Sequence, residues 1–224
     1  MAPLSGLAQS FAVAAAASRL NRSTWEVYVT GAVMLEWLAD GFLIRGEKGK
    51  LTMSETFAPT SEGARQLAET MRNARRAKTF KGWVSLLYSR TKLRRAVLAD
   101  YVSDLLEEKA LRYETKKVLG LFPVGFYVPD PAAKDRIVQR LRAELLEPGN
   151  VDEPTAALAM LLDSANVLKR YFSDYERNQW RDKMKRLQQE NNEVWKRVEE
   201  IRKAIREMEA AASSGAVAAT AATM

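Results

Sequence analysis

Between Trp180 and Met208 the apolar side chains fall into a register that only a helix satisfies. Trp180, Met184, Leu187, Val194, Val198, Ile201, Ile205 and Met208 recur in alternating steps of four and three, with Asn191 between Leu187 and Val194. That spacing assigns d to Trp180, Leu187, Val194, Ile201 and Met208, and a to Met184, Asn191, Val198 and Ile205. It predicts a long C-terminal coiled-coil helix over residues 174–210. Asn at an a position beside β-branched a residues fixes a two-stranded parallel register, so a homodimer through this helix is expected. Arg197 and Arg202 would oppose each other across such a pair; in the other reading the same stripe folds back as core of its own domain. Residues 211–224 are alanine-rich and of low complexity, and are expected to be a disordered tail.

Residues 1–173 read as one mainly helical, bundle-like domain with short hairpins. Val27, Gly31, Met34, Leu35 and Leu38 recur at helical spacing after Ser23-Thr24, up to the Asp40-Gly41 breaker. Phe42–Ile44 and Leu51–Met53 flank a charged turn and predict a hairpin. Further helices are expected from Pro59, over Phe80–Tyr88, over Thr91–Glu108, over Ala132–Leu146 and over Thr155–Phe172. A turn is expected at Thr115-Lys116. The apolar run from Val118 to Tyr127 is punctuated by Gly and Pro into a hairpin.

Composition narrows the chemistry. There is no cysteine and no histidine, which excludes disulfides, zinc–thiolate sites, thiol catalysis and any Ser–His–Asp triad. No Walker-type phosphate loop occurs, and the acidic pairs Glu107-Glu108 and Asp152-Glu153 read as helix-end charges. The expectation is a protein without catalytic activity, metal, cofactor or small-molecule substrate. No stretch approaches the ~20 apolar residues of a membrane span. No Lys or Arg precedes the apolar stretch near the N-terminus, so a secretory signal is not expected and a cytoplasmic location is.

The chain carries a net charge of +7, and nine of its cations lie between Thr70 and Ala99 with no Asp or Glu among them. These are Arg72, Arg75, Arg76, Lys78, Lys81, Arg90, Lys92, Arg94 and Arg95. A solvated face mixes signs, so a one-signed stretch of this length predicts an anionic partner, either a leaflet or nucleic acid. Leu119, Leu121, Phe122, Val124, Phe126 and Tyr127 are too many for a strand showing one face to water. They are either buried on both faces or form an exposed apolar tip for a membrane or partner. Thr91–Glu108 followed by a hairpin also has a winged-helix outline, which leaves a nucleic-acid binder as one alternative. A coiled-coil interaction adaptor is the other.

Four blocks, in this order and spacing, resemble the Golgi phosphoprotein 3 family. They are TGAVMLEWLADGFLI (Thr30–Ile44), AKTFKGWVSLL (Ala77–Leu87), the segment from Val102 to Pro131 containing LGLFP, and DEPTAALAMLLDSANVL (Asp152–Leu168). The resemblance covers roughly Leu7 to Phe172, leaves the heptad segment outside, and is closest to the bacterial branch. It implies a helical domain without catalytic activity that binds phosphatidylinositol 4-phosphate at a membrane surface, in the Golgi if the source is eukaryotic. Family members hold the headgroup with a Trp and three Arg. Arg95 matches one Arg, Trp25 stands for the Trp, and Thr30 and Leu98 occupy the other two Arg positions. The family's Gly is Lys109 here. With the basic segment added, the expected headgroup-binding set is Trp25, Lys81, Arg90, Lys92, Arg94 and Arg95. The expected membrane-contact hairpin is Leu119, Leu121, Phe122, Val124 and Phe126.

Overall fold

The computed structural model describes residues 4, 6–16, 18, 20–118, 122–190 and 192–221, with side chains at 116–118, 122–124 and 212–221 left undescribed. Helix α1 (Leu7–Ala16) packs on α2 (Arg22–Ala39). The α2 N-cap is Asn21, whose side chain accepts from the Thr24 amide at 2.8 Å, two residues before the Ser23-Thr24 start expected from the sequence. Glu36, buried on α2, accepts from the Ala8 amide at 3.1 Å and so satisfies a free donor at the start of α1.

The expected first hairpin is present as β1 (Leu43–Arg45) and β2 (Lys50–Met53), antiparallel with Leu43 opposite Met53. A third strand that the sequence did not signal, β3 (Lys78–Thr79), adds to β2. Helix α3 (Glu62–Arg72) then packs on α5 (Thr91–Glu107), with α4 (Phe80–Ser89) between them in sequence. The α3–α5 approach requires a glycine, because a Cβ on Gly63 would run into the Ala96 carbonyl. Asp100 of α5 accepts from the amides of Gly63 and Ala64 at 3.3 and 2.8 Å, capping α3 from outside.

Strands β4 (Leu111–Val118) and β5 (Phe122–Pro129) form one long antiparallel hairpin. The expected turn at Thr115-Lys116 is not there: Thr115 pairs with Gly125 and Lys116 with Val124, so these residues are mid-strand. The chain continues through α6 (Pro131–Leu146) and α7 (Glu153–Ser164), each capped by an Asp that accepts from an amide three residues on. The helix expected to reach Phe172 stops at Ser164. Asn166 there takes a left-handed φ of 58°, and a short 3₁₀ turn covers Leu168–Tyr171.

The heptad stripe has a different role from the one expected. It falls on α8 (Arg177–Glu190) and α9 (Asn192–Ala221), with Asn191 outside the described residues. Helix α8 packs on α6 and α7, and α9 on α2, α4 and α7. Trp180, Met184, Leu187, Val194, Val198, Ile201 and Ile205 are all buried within this one chain, and Met208 is half-buried. The stripe is the core-facing side of the C-terminal helices, not a seam open to a second chain. Periodicity records which side chains are buried and not which molecule covers them, so the same pattern served both readings. Arg197 and Arg202 are matched within α9 instead of opposing a partner, Arg197 with Glu193 and Glu200 and Arg202 with Glu199. The backbone is helical as far as Ala221, beyond the point where disorder was expected; alanine is the strongest helix former.

Candidate anion-binding site

The first turns of α2 place Arg22, Trp25 and Glu26 at one end of the bundle. Glu26 is fully buried, and its carboxylate gathers three arginines. Arg22 donates from Nε to Oε1 at 2.9 Å, Arg94 from Nε to Oε2 at 2.9 Å, and Arg95 Nε lies 3.5 Å from Oε1. Arg94 is itself only 2% exposed, and its Nη1 donates to the carbonyls of Leu87 and Tyr88. Its expected role as a headgroup ligand is therefore corrected: its donors are used inside the protein to tie α5 to α2 and to the end of α4. Arg22 and Arg95 are 45% and 54% exposed. They share the one carboxylate with Arg94, so the cluster keeps excess positive charge and free donors toward solvent.

Trp25 is buried, donates its indole N–H toward the Ala12 carbonyl at 3.4 Å, and stacks on Tyr127 of β5 with ring centroids 5.2 Å apart. Tyr127 in turn meets Tyr113 of β4 edge-on at 5.3 Å. A Cβ on Gly125 would collide with the Tyr113 hydroxyl, so that glycine is what lets the ring lie across the strand. The aromatic contacts hold the base of the hairpin against α2. Beside them opens a mostly apolar cavity of about 460 Å³, lined by the end of α1, by Leu20, Arg22 and Trp25, and by residues 125–129 of β5.

The remaining expected ligands are elsewhere. Lys81 pairs with Glu207 of α9 at 2.6 Å, while Arg90 and Lys92 are exposed at the start of α5. Thr30 and Leu98, at the family's other arginine positions, are buried, and the Thr30 hydroxyl donates to the Glu26 carbonyl at 3.0 Å. Of the hairpin set, Leu119 and Leu121 lie outside the described residues, Phe122 and Val124 are placed in β5 by backbone alone, and Phe126 is half-buried. The sequence reading missed Arg22 and Glu26, although their spacing of four on a helix was a usable signal.

With this geometry in place, the sequence model of Golgi phosphoprotein 3 (GPP34) matches residues 12–208. The chain belongs to the Golgi phosphoprotein 3 family. The match runs through α8 and most of α9, so the heptad segment is part of the Golgi phosphoprotein 3 region and not an appendage to it. No curated protein matches the chain.

Proposed function

We propose that this Golgi phosphoprotein 3 family member is a non-enzymatic peripheral membrane protein of the cytoplasm that binds anionic phospholipid headgroups. The observation that carries this is the pair of half-exposed arginines, Arg22 and Arg95, on the buried Glu26, with Arg22 also lining the cavity walled by the hairpin. A phosphate offers the oxygens that spare guanidinium donors seek, and each cation near an anionic leaflet contributes on the order of 1 kcal/mol. The apolar residues that the sequence assigns to the hairpin, Leu119, Leu121, Phe122 and Val124, would enter the acyl boundary. Two weak attachments together give reversible binding.

The resemblance points to phosphatidylinositol 4-phosphate as the headgroup. Because Thr30 and Leu98 carry no charge, recognition here rests on Arg22 and Arg95, which suits phosphorylated and other anionic headgroups generally. No helix among the described residues is long and apolar enough to cross a membrane. In vesicle flotation, the double variant Arg22→Ala with Arg95→Ala is expected to bind anionic vesicles roughly tenfold or more weakly. Phe122→Asp is expected to lower recovery on every vesicle composition. Parent-like flotation of both variants would refute the proposal.

A further inference from the structure

The basic segment divides in the folded chain. Arg72 donates to the backbone carbonyls of Ser54 and Phe57, Lys81 pairs with Glu207, and Arg94 and Arg95 share Glu26. Among the described residues, Arg75, Arg76, Lys78, Arg90 and Lys92 have no ion-pair partner. Four of these five, all but Lys92, line one open cleft of about 1150 Å³. It lies between the C-terminal end of α3, the side of α4 and the start of α5. Leu86 and Leu93 supply apolar surface to it, and Trp83, in the lining but fully buried, has an indole nitrogen with no hydrogen-bond partner. Glu69 is the single carboxylate in the lining.

We propose that this cleft docks an acidic peptide segment of a partner protein, with its carboxylates on Arg75, Arg76, Lys78 and Arg90 and an apolar side chain over Leu86 and Leu93. Unpaired arginines are forks suited to carboxylates, and their charge complements an acidic chain. Three observations favour a peptide over other polyanions. The volume exceeds the roughly 300–1,000 Å³ of small-ligand pockets and suits a short stretch of chain. Trp83, the one aromatic residue in the lining, is fully buried and offers no face on which a nucleic-acid base could stack. Leu93 lines the cleft while Arg95 reaches Glu26, and the two lie roughly 200° apart around α5. A flat membrane that engages Arg95 therefore leaves the cleft on the far side of the helix.

The test is fluorescence anisotropy of a labelled eight-residue peptide, Glu-Glu-Leu-Glu-Glu-Leu-Glu-Glu, titrated with the intact protein in vesicle-free solution. Saturable binding is expected, weakened at least tenfold by Arg75→Glu with Arg76→Glu and several-fold by Arg90→Ala, and unchanged by Arg95→Ala. Arg75 and Arg76 are exposed, so the double variant should melt with the parent and float on anionic vesicles as the parent does. Absence of saturation, equal binding by the cleft variants, loss of flotation in the double variant, or tighter binding of a single-stranded oligonucleotide at the cleft would each overturn the proposal. Failure of the membrane reading would leave the peptide titration unaffected.

Discussion

Arg94 Nε donates to Glu26 Oε2 across 2.9 Å, with both side chains withdrawn from water. Removing one partner of a buried pair typically costs about 3–5 kcal/mol. Here Arg22 and Arg95 would still pair with Glu26, but the Leu87 and Tyr88 carbonyls would also lose their donor. Arg94→Ala is accordingly expected to lower the unfolding free energy by about that amount in urea titration. Arg95→Ala, on the exposed side of the same carboxylate, is expected to change it by less than about 1 kcal/mol. Adjacent arginines of one basic run thus separate into a structural and a surface residue.

Close helix packing gives a second contrast. A Cβ on Gly31 would lie 2.7 Å from Ile201 Cδ1, the movable end of a side chain, whereas on Gly63 it would meet the Ala96 backbone carbonyl. Gly63→Ala is expected to cost about 3 kcal/mol or more, and Gly31→Ala about 1 kcal/mol, since the gain in helix propensity offsets part of the crowding. In the Gly31→Ala background, Ile201→Val should recover part of that loss. Urea midpoints of the parent and the three variants check the order.

Burial pushes the Glu36 carboxyl up to about 7, although the Ala8 amide bonded to it pulls the other way. Asp40 adds to the upward push. The folded state therefore holds this proton more tightly than the unfolded chain does. The stabilisation is complete below the unfolded value near 4.5 and is lost as pH rises through about 7. Between pH 5 and pH 8 this group alone should remove roughly 2–3 kcal/mol. Glu36→Gln keeps an oxygen for the Ala8 amide and cannot ionise. Its urea midpoint is expected to fall less than the parent's across that interval.

Lys109 follows the end of α5 with φ at 58°, the left-handed conformation that favours glycine. The family resemblance has Gly at this position. Lys109→Gly is expected to raise stability by roughly 1 kcal/mol, measured as an upward shift of the thermal midpoint.

Most helices were legible because caps and apolar spacing act locally: Asp130, Asp152 and the Asp40-Gly41 stop mark their own helix ends. Strand β3 was not legible, since two residues carry no periodicity and form a strand only by pairing with β2. The coiled-coil expectation failed because Gly31, 170 residues away from Ile201, supplies the groove that Ile201 enters. The candidate site was half legible. The basic run announced itself, but which of its arginines face solvent depends on Glu26, which is remote in sequence from Arg94 and Arg95 and can be found only by folding α2 against α5.

Flotation of the intact protein on phosphatidylcholine vesicles, with and without an anionic phospholipid, tests the membrane proposal most directly. Recovery is expected to be low on neutral vesicles, to rise several-fold with the anionic lipid, and to fall again as salt screens the charges. Equal recovery on both compositions at every salt concentration would contradict it.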